Sequence, residues 1–137
     1  MYSVLKFYLK HTDMKVPENL YYTKDHEWLR IEGDTAFAGV TDFAQGELGD
    51  IVFIEIETLG EILKKEEVFG TIEAVKTVSD LFMPVGGEIL EVNPALADSP
   101  DLVNKDPYGE GWMVKIKITD LAEVSELYDA EKYKTLL

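Results

Sequence analysis

Lys76 is the residue whose position in the sequence most clearly predicts a chemical role. Between Glu66 and Asn104 it is the only basic residue, among eight carboxylates. It lies between two runs rich in β-branched and aromatic residues, Val68–Val75 and Val78–Met83, where a hairpin must reverse. An exposed lysine in a turn is ordinarily without special function. A lone lysine on a protruding tip is, however, also what an enzyme that modifies a single lysine requires, provided that it removes the amine proton.

Other residue types that commonly act in catalysis are scarce. The chain contains no cysteine, which excludes disulfides, thiolate metal sites and a cysteine nucleophile, and which fits a reducing compartment. The two histidines, His11 and His26, leave little for general-base catalysis or for a zinc site. His26 precedes Glu27 without a second histidine at metal-ligand spacing, so we expect it to form a structural hydrogen bond. The sequence therefore favours a protein that is not an enzyme.

The chain is strongly acidic. Its 137 residues, enough for one domain with a tail, include 13 Lys and Arg against 27 Asp and Glu, a formal net charge of −14. Such a surface repels phosphate backbones and anionic lipid, so we expect neither nucleic acid nor membrane as a partner. No run approaches the roughly 18 apolar residues of a spanning helix. A basic patch on another protein is a better partner for this acidic surface than nucleic acid or membrane.

Short alternating segments separated by turns predict a mainly β fold. Apart from the two runs that flank Lys76, strands are predicted at residues 28–32, Thr35–Val40 after a tight Gly33-Asp34 turn, Asp50–Glu57, Gly87–Val92 and Trp112–Ile118. Strands of this length, with turns every 8–12 residues or so, are typical of sandwiches and barrels.

Small helices are predicted beside these strands. Asp42 followed by Gln45 has the pattern of a capping box for a helix that ends near residue 48. Asp120 with Glu123 repeats the pattern near the C terminus, and a second short helix is predicted to begin near Asp129. The fold class is therefore mainly β with small flanking helices and a C-terminal helical segment.

Residues 1–13 form a separate segment with a net charge of +1. Lys6 and Lys10 interrupt the apolar stretch that a secretory signal needs, and the segment has no arginine and too little serine for a transit peptide. We expect a poorly ordered extension before Met14 and a folded domain over residues 14–137.

Three segments of the chain share the sequence pattern of one known family. Tyr22–Gly49 closely resembles the start of the glycine cleavage system H protein. Phe69–Val92 resembles that family's lipoyl-attachment segment, with Lys76 at the modified position, and Asn104–Ile116 resembles its closing strand. The segments occur in family order and spacing, and the resemblance spans residues 15–137.

The resemblance implies a lipoyl carrier with a barrel-sandwich hybrid fold and with lipoate in amide linkage to Lys76. In that family the arm visits three enzymes. A pyridoxal-phosphate glycine decarboxylase loads an aminomethyl group, a folate-dependent aminomethyltransferase removes it, and a flavin dihydrolipoamide dehydrogenase reoxidises the dithiol. The resemblance further implies a non-catalytic carrier that lipoate-attaching enzymes modify, in the cytoplasm or, in a eukaryote, in the mitochondrial matrix. The cofactor carries the chemistry, and the protein attaches and orients it.

Several polar residues are candidates for arm docking or for recognition by a modifying enzyme. Glu73 and Asp80 flank the lysine in sequence and could present the tip to that enzyme, or be plain solvated charges. Ser79 and Asp80 match the family's attachment segment, and the resemblance implies that Asp80 meets the cationic amine of the loaded arm, for which a carboxylate is a favourable partner. It also implies that Glu27 lies near the docking cleft. Some relatives carry histidine where this chain has Glu47.

Other interpretations remain open. A lipoyl domain of a 2-oxoacid dehydrogenase also presents a tip lysine, but usually within a longer chain and in an Asp-Lys-Ala context instead of Val75-Lys76-Thr77. A biotin carrier has methionines on both sides of its lysine, and neither is present here. An unmodified acidic interaction module, and an H-like protein that carries lipoyl groups for another pathway, are the remaining alternatives. Neighbouring genes for a glycine decarboxylase and an aminomethyltransferase would distinguish a glycine cleavage carrier from this last alternative.

Overall fold

The computed structural model describes residues 14–137, so the extension predicted for residues 1–13 lies outside the described part. The strands there are β1 (Tyr21–Tyr22), β2 (Glu27–Glu32), β3 (Thr35–Val40), β4 (Ile51–Glu55), β5 (Ile62–Leu63), β6 (Val68–Ala74), β7 (Val78–Phe82), β8 (Gly87–Val92) and β9 (Val114–Ile118). The helices are α1 (Asp42–Leu48), α2 (Ala95–Asp98), α3 (Leu102–Lys105) and α4 (Ala130–Lys134), with a 3-10 helix at Leu121–Glu126. None of the helices in residues 14–137 has the length and apolar character needed to cross a membrane.

The strands pair antiparallel in two sheets. The six-stranded sheet has the order β1-β2-β3-β9-β8-β5, and the three-stranded sheet has the order β4-β6-β7. The predicted turn between β2 and β3 is confirmed, and Gly33 adopts there the positive φ of 66° that two-residue hairpin turns favour. The predicted fold class, a mainly β sandwich or barrel with small helices, is confirmed.

One apolar core joins the two sheets. It includes Ala38 and Ile116 from the six-stranded sheet and Ile72 and Leu81 from the three-stranded sheet, all of them buried. Full burial of an isoleucine or leucine side chain contributes about 1.5–3 kcal/mol. The three-stranded sheet, which carries Lys76, is therefore anchored through its inner face.

A second cluster attaches the C-terminal helix to the six-stranded sheet. Trp28 is fully buried within it, and its Nε1 donates to the carbonyl oxygen of Pro107 at 2.9 Å. The rings of Tyr22 and Tyr133 stack with their centroids 4.6 Å apart. These contacts fix α4 against β1 and β2.

Strand β4 departs from the alternation that the sequence predicts. Ile51 pairs with Ala74 and Phe53 pairs with Glu73, so Val52 is an extra residue in this strand. A β-bulge sets two consecutive residues opposite one partner residue, and Val52 and Phe53 are both exposed in consequence. The predicted strand is confirmed, but its strict alternation is wrong at the bulge.

The cap of α1 lies one residue before the predicted position. Thr41 is the N-cap, and its Oγ1 accepts a hydrogen bond from Ala44 N at 3.2 Å. Asp42, the predicted cap, lies in the first turn and accepts from Gln45 Nε2 at 2.7 Å. Thr41 takes the position because its backbone is extended, with φ −76° and ψ 167°, as an N-cap requires. Gly49 closes the helix with a φ of 83°.

The second predicted capping box is half correct. Asp120 caps the 3-10 helix by accepting from Ala122 N at 3.0 Å. Glu123 Oε1 accepts instead from Gly86 N at 2.8 Å, so it connects the helix to the turn before β8. The final helix begins after Asp129, as predicted.

Candidate functional site

Lys76 lies at the tip of the hairpin that β6 and β7 form. Ala74 N donates to the carbonyl oxygen of Thr77 at 2.7 Å and closes the turn. Val75 N donates to the carbonyl oxygen of Asp50 at 3.0 Å, which ties the turn to the residue before β4. The backbone around Lys76 is thus held from two directions, while the lysine side chain is exposed.

The amine of Lys76 is not engaged by the rest of the described chain. Among the ion pairs within residues 14–137, none includes this lysine. Its Cε lies 3.5 Å from the position that a Cβ on Gly49 would occupy, so the stem of the lysine runs past the end of α1. The side chain is therefore accessible to a modifying enzyme on a tip of fixed backbone conformation.

A cleft of about 210 Å³ lies between this hairpin and α1. Its walls come from the loop between β1 and β2, the end of β3, α1, and strands β6 and β7. The lining residues are Asp25, His26, Glu27, Val40, Phe43, Ala44, Glu47, Leu48, Ile72, Ser79, Asp80 and Leu81. The lining combines aliphatic and aromatic side chains with a few carboxylates, a composition common in small-molecule sites.

The structure brings to this cleft three of the four residues that were predicted for arm docking or for recognition by a modifying enzyme. Glu27, Ser79 and Asp80 all line it, and Ser79 and Asp80 are exposed on the edge strand β7. Glu47, at the position where some relatives have histidine, lies in the α1 wall of the same cleft. Glu73 does not line the cleft.

Glu73 lies instead on the outer face of the three-stranded sheet. It pairs with Phe53 of β4 on one side and with Val78 of β7 on the other. Side chains of directly paired residues share a face, and all three residues are exposed. The hairpin therefore has two different sides, a cleft and an outer face on which apolar residues flank a carboxylate.

Glu27 is a buried carboxyl group with both oxygens engaged. Oε1 accepts from Thr23 Oγ1 at 3.1 Å, and Oε2 accepts from Phe82 N at 3.0 Å. Burial, with added repulsion from Asp25, raises the pKa of Glu27 to about 8, although these two hydrogen bonds act against the shift. Because Phe82 ends β7, Glu27 ties the six-stranded sheet to the strand that follows Lys76.

His26 forms a structural hydrogen bond, as the sequence predicted. Its Nδ1 lies 2.8 Å from the Tyr133 hydroxyl, which in turn lies 2.7 Å from Thr41 Oγ1. Its ring packs against Phe43, with centroids 4.7 Å apart, and burial lowers the pKa of His26. Within residues 14–137 no group of three or more His, Cys, Asp or Glu side chains is arranged to hold a metal ion.

Sequence reasoning did not identify Tyr133 as part of this site. The tyrosine reaches the cleft wall from α4, and 107 positions separate it from His26. The only sequence signal was an aromatic residue at the position where a short C-terminal helix buries one face. Such a signal indicates burial but not the partner.

Comparisons with known proteins agree with this architecture. The family model of the glycine cleavage H-protein matches residues 20–137. The chain is 59% identical over 124 residues to the glycine cleavage system H protein of Bacteroides fragilis, covering 90% of this chain and 98% of that protein. It is 59% identical over 126 residues to the H protein of Chlorobium limicola, with the same coverage.

A solved structure has the same fold. The crystal structure of a glycine cleavage system H protein from Mycobacterium marinum superposes with a TM-score of 0.80 at 40% identity, covering 88% of this chain and 97% of that one. The residues that the family model matches include both sheets, the hairpin and the cleft. The chain therefore belongs to the glycine cleavage H-protein family, the lipoyl-carrier component of that system.

Proposed function

We propose that Lys76 bears a lipoyl group in amide linkage and that the chain serves as the lipoyl carrier of glycine cleavage. The observation that carries this proposal is a lone lysine on a fixed hairpin tip, in a chain of the H-protein family. When bound, the lipoyl group would supply a disulfide, one sulfur of which takes up the aminomethyl group as the S–S bond opens and later passes it on, leaving a dithiol. The protein contributes the attachment point and its surroundings.

The residues around Lys76 fit a lipoyl amide. Amide formation needs a primary amine that an acyl donor can reach, and Lys76 is exposed and free of ion pairs within the described residues. The turn that carries it is held by a hydrogen bond to the residue before β4 and by one across the hairpin. A fixed tip lowers the entropy lost when an enzyme binds it.

The cleft beside the hairpin supports a docking role for its carboxylates. Asp80 is exposed at the cleft edge, and we assign it the part of charged partner to a cationic amine on the loaded arm. Glu27 contributes differently, because a carboxyl whose pKa lies near 8 is largely protonated at neutral pH. It holds β7 in place through Phe82 N and adds little charge to the cleft, while Ser79 offers a hydroxyl from the same strand.

The proposed partners are those of the family. They are glycine decarboxylase with pyridoxal phosphate, a folate-dependent aminomethyltransferase, dihydrolipoamide dehydrogenase with flavin, and the enzymes that attach lipoate. The formal charge of −14 favours partners with basic docking patches and rapid, salt-sensitive association. We place this exchange in the bacterial cytoplasm, in keeping with the bacterial relatives.

The test is a matched pair of lysine variants in a reconstituted system of glycine decarboxylase, lipoate, an attaching enzyme and the carrier. Lys76→Arg keeps the charge but cannot form the amide, and we expect no glycine–bicarbonate exchange with it. Lys105→Arg, at an exposed lysine of α3, should retain full exchange. Exchange supported by Lys76→Arg would refute the proposal. If the chain is instead an H-like carrier that serves another pathway, the wild-type protein would become lipoylated but would not support glycine–bicarbonate exchange.

A further inference from the structure

Four apolar side chains form an exposed surface beside Lys76, which we call the outer patch. Its members are Val52 and Phe53 of the β4 bulge, Val75 of the hairpin turn, and Val78 at the start of β7, with exposed fractions of 48%, 51%, 76% and 63%. Contiguous exposed apolar residues commonly mark a site of interaction with another macromolecule.

The backbone places these residues together on one side of the hairpin. Phe53, Glu73 and Val78 form a row across the three strands of the sheet. The bulge turns Val52 to the same exposed side, and the Val75–Asp50 hydrogen bond brings the turn against the beginning of β4. The outer patch is therefore continuous with the tip that presents Lys76, and it lies on the side opposite the buried residue Ile72.

The charges around the outer patch define the kind of partner that fits it. Asp50, Glu55 and Glu73 are exposed on or next to the same strands, and Lys76 is the only cation between residues 66 and 104. A complementary surface has an apolar centre, a rim of Lys or Arg side chains, and an opening for one lysine.

We propose that the outer patch is the surface that the lipoate-attaching enzyme covers when it modifies Lys76, with Phe53 and Val78 as anchors. The inference rests on the proposed function. Amide formation takes place at the Nζ atom itself, one lysine side chain away from the backbone, so this enzyme must approach the hairpin closely. Enzymes that act on the far end of the finished arm meet their target farther from the hairpin and need not contact the patch.

The covalent step requires an activated lipoyl donor, which an ATP-dependent lipoate ligase forms as an acyl adenylate. The neutral Lys76 amine attacks the acyl carbon, the new C–N bond forms, and the bond between that carbon and the phosphate oxygen breaks. Adenylate leaves with the electron pair, and the proton lost from the amine passes to a base or to water. No change of oxidation state is involved. The outer patch acts only by holding the lysine in the ligase.

The experiment measures kcat/KM of an ATP-dependent lipoate ligase on the unmodified full chain. The test variant is Phe53→Ser combined with Val78→Thr, which removes apolar surface at exposed strand positions. The control is Ile62→Thr on the edge strand β5, where the side chain is 72% exposed. We expect the test variant to lose at least about tenfold in kcat/KM, mainly through KM, as loss of a central apolar anchor does. The control should stay within about twofold of wild type, since a peripheral exposed change is nearly neutral.

Two further measurements make the outcome decisive. Each variant should keep its melting temperature, and each should become fully lipoylated with excess ligase. Once lipoylated, each should be reduced by dihydrolipoamide dehydrogenase, with NADH as the reductant in this reverse assay, at the wild-type rate. The single variant Val78→Thr, a near-isosteric change, should show an intermediate loss if the double variant unfolds. Wild-type ligation rates in the test variant, an equal loss in the control, or a loss confined to the dehydrogenase would overturn the outer patch as ligase surface while leaving lipoylation intact. A wild-type chain that acquires no lipoyl group on Lys76 would overturn the proposed function as well.

Discussion

The two sides of the Lys76 hairpin differ in whether their side chains already have partners within the chain. On the cleft side, Glu27 and His26 form hydrogen bonds within the chain, and each has a partner distant in sequence, Phe82 N for Glu27 and the Tyr133 hydroxyl for His26. On the outer side, Phe53 and Val78 are exposed without a covering element among the described residues. In our proposal the cleft receives the protein's own arm, whereas the outer face becomes buried only when another molecule covers it.

We infer from this difference that one hairpin separates two recognition tasks. A side whose polar groups are already engaged can hold a ligand with little reorganisation. A side of exposed apolar residues gains only when a partner removes them from water. Changes on the cleft side should therefore alter stability and arm docking, and changes on the outer side should alter partner binding.

The largest expected effect on the cleft side is a pH dependence from Glu27. The folded protein holds this proton up to a pKa of about 8, whereas the ordinary value is 4.5. Between these two values the folded state binds more protons than the unfolded state, so the contribution of Glu27 to stability falls as pH rises and levels off above the folded pKa. The upper limit of the decrease is about 5 kcal/mol.

Urea denaturation of wild type and Glu27→Gln from pH 4 to pH 9 measures this contribution. The variant keeps a side chain of the same shape but cannot ionise. We expect wild type to lose stability relative to the variant as pH rises through the window. A constant difference between the two proteins at every pH would show that Glu27 ionises normally in the folded state.

A smaller loss is expected from Tyr133→Phe. The substitution removes the hydroxyl that contacts His26 Nδ1 and Thr41 Oγ1. It leaves His26 Nδ1 without this partner, while Thr41 Oγ1 keeps only its N-cap hydrogen bond from Ala44 N. We expect a decrease of about 1–3 kcal/mol in the free energy of unfolding, with the ligase reaction at Lys76 unchanged. Tyr21→Phe, at an exposed tyrosine, is the control and should cost almost nothing. Equal losses in the two variants would mean that the link between α4 and the cleft wall is not energetically important.

The smallest expected effect concerns Asp80 at the cleft edge. Asp80→Asn removes the charge that we assign to holding the cationic amine of the loaded arm, and release of ammonia and formaldehyde from the purified loaded carrier should accelerate about two- to fivefold, as suits an exposed charge pair. Glu73→Gln, which removes a carboxylate from the outer side of the same hairpin, should leave the release rate unchanged. Identical rates in wild type and both variants would remove Asp80 from the docking site.

Much of the fold could be predicted from local sequence. The turn at Gly33, the helix closed by Gly49 and the two runs around Lys76 depend on residue types within a few positions of one another, and pattern reasoning detects such signals. The bulge at Val52 could not be predicted, because an all-apolar stretch is compatible with either register and the pairing with β6 decides between them.

The candidate site was predictable only in part. Lys76 was identified by its isolation among carboxylates and by the family resemblance, and Ser79 and Asp80 were identified by their match to the family's attachment segment. The burial of Glu27 and its bond to Phe82 N depend on how the two sheets pack, and the Tyr133–His26 contact joins opposite ends of the domain. Single-sequence patterns contain no information on such pairings, because nothing local specifies the partner.

Peptide mass spectrometry of the protein from a lipoate-producing host tests most directly whether Lys76 bears the lipoyl group. We expect one lipoyl amide per chain, located on Lys76, and its absence in protein from a host that lacks lipoate. A lipoyl group on a different lysine, or an unmodified Lys76 in the lipoate-producing host, would contradict this expectation.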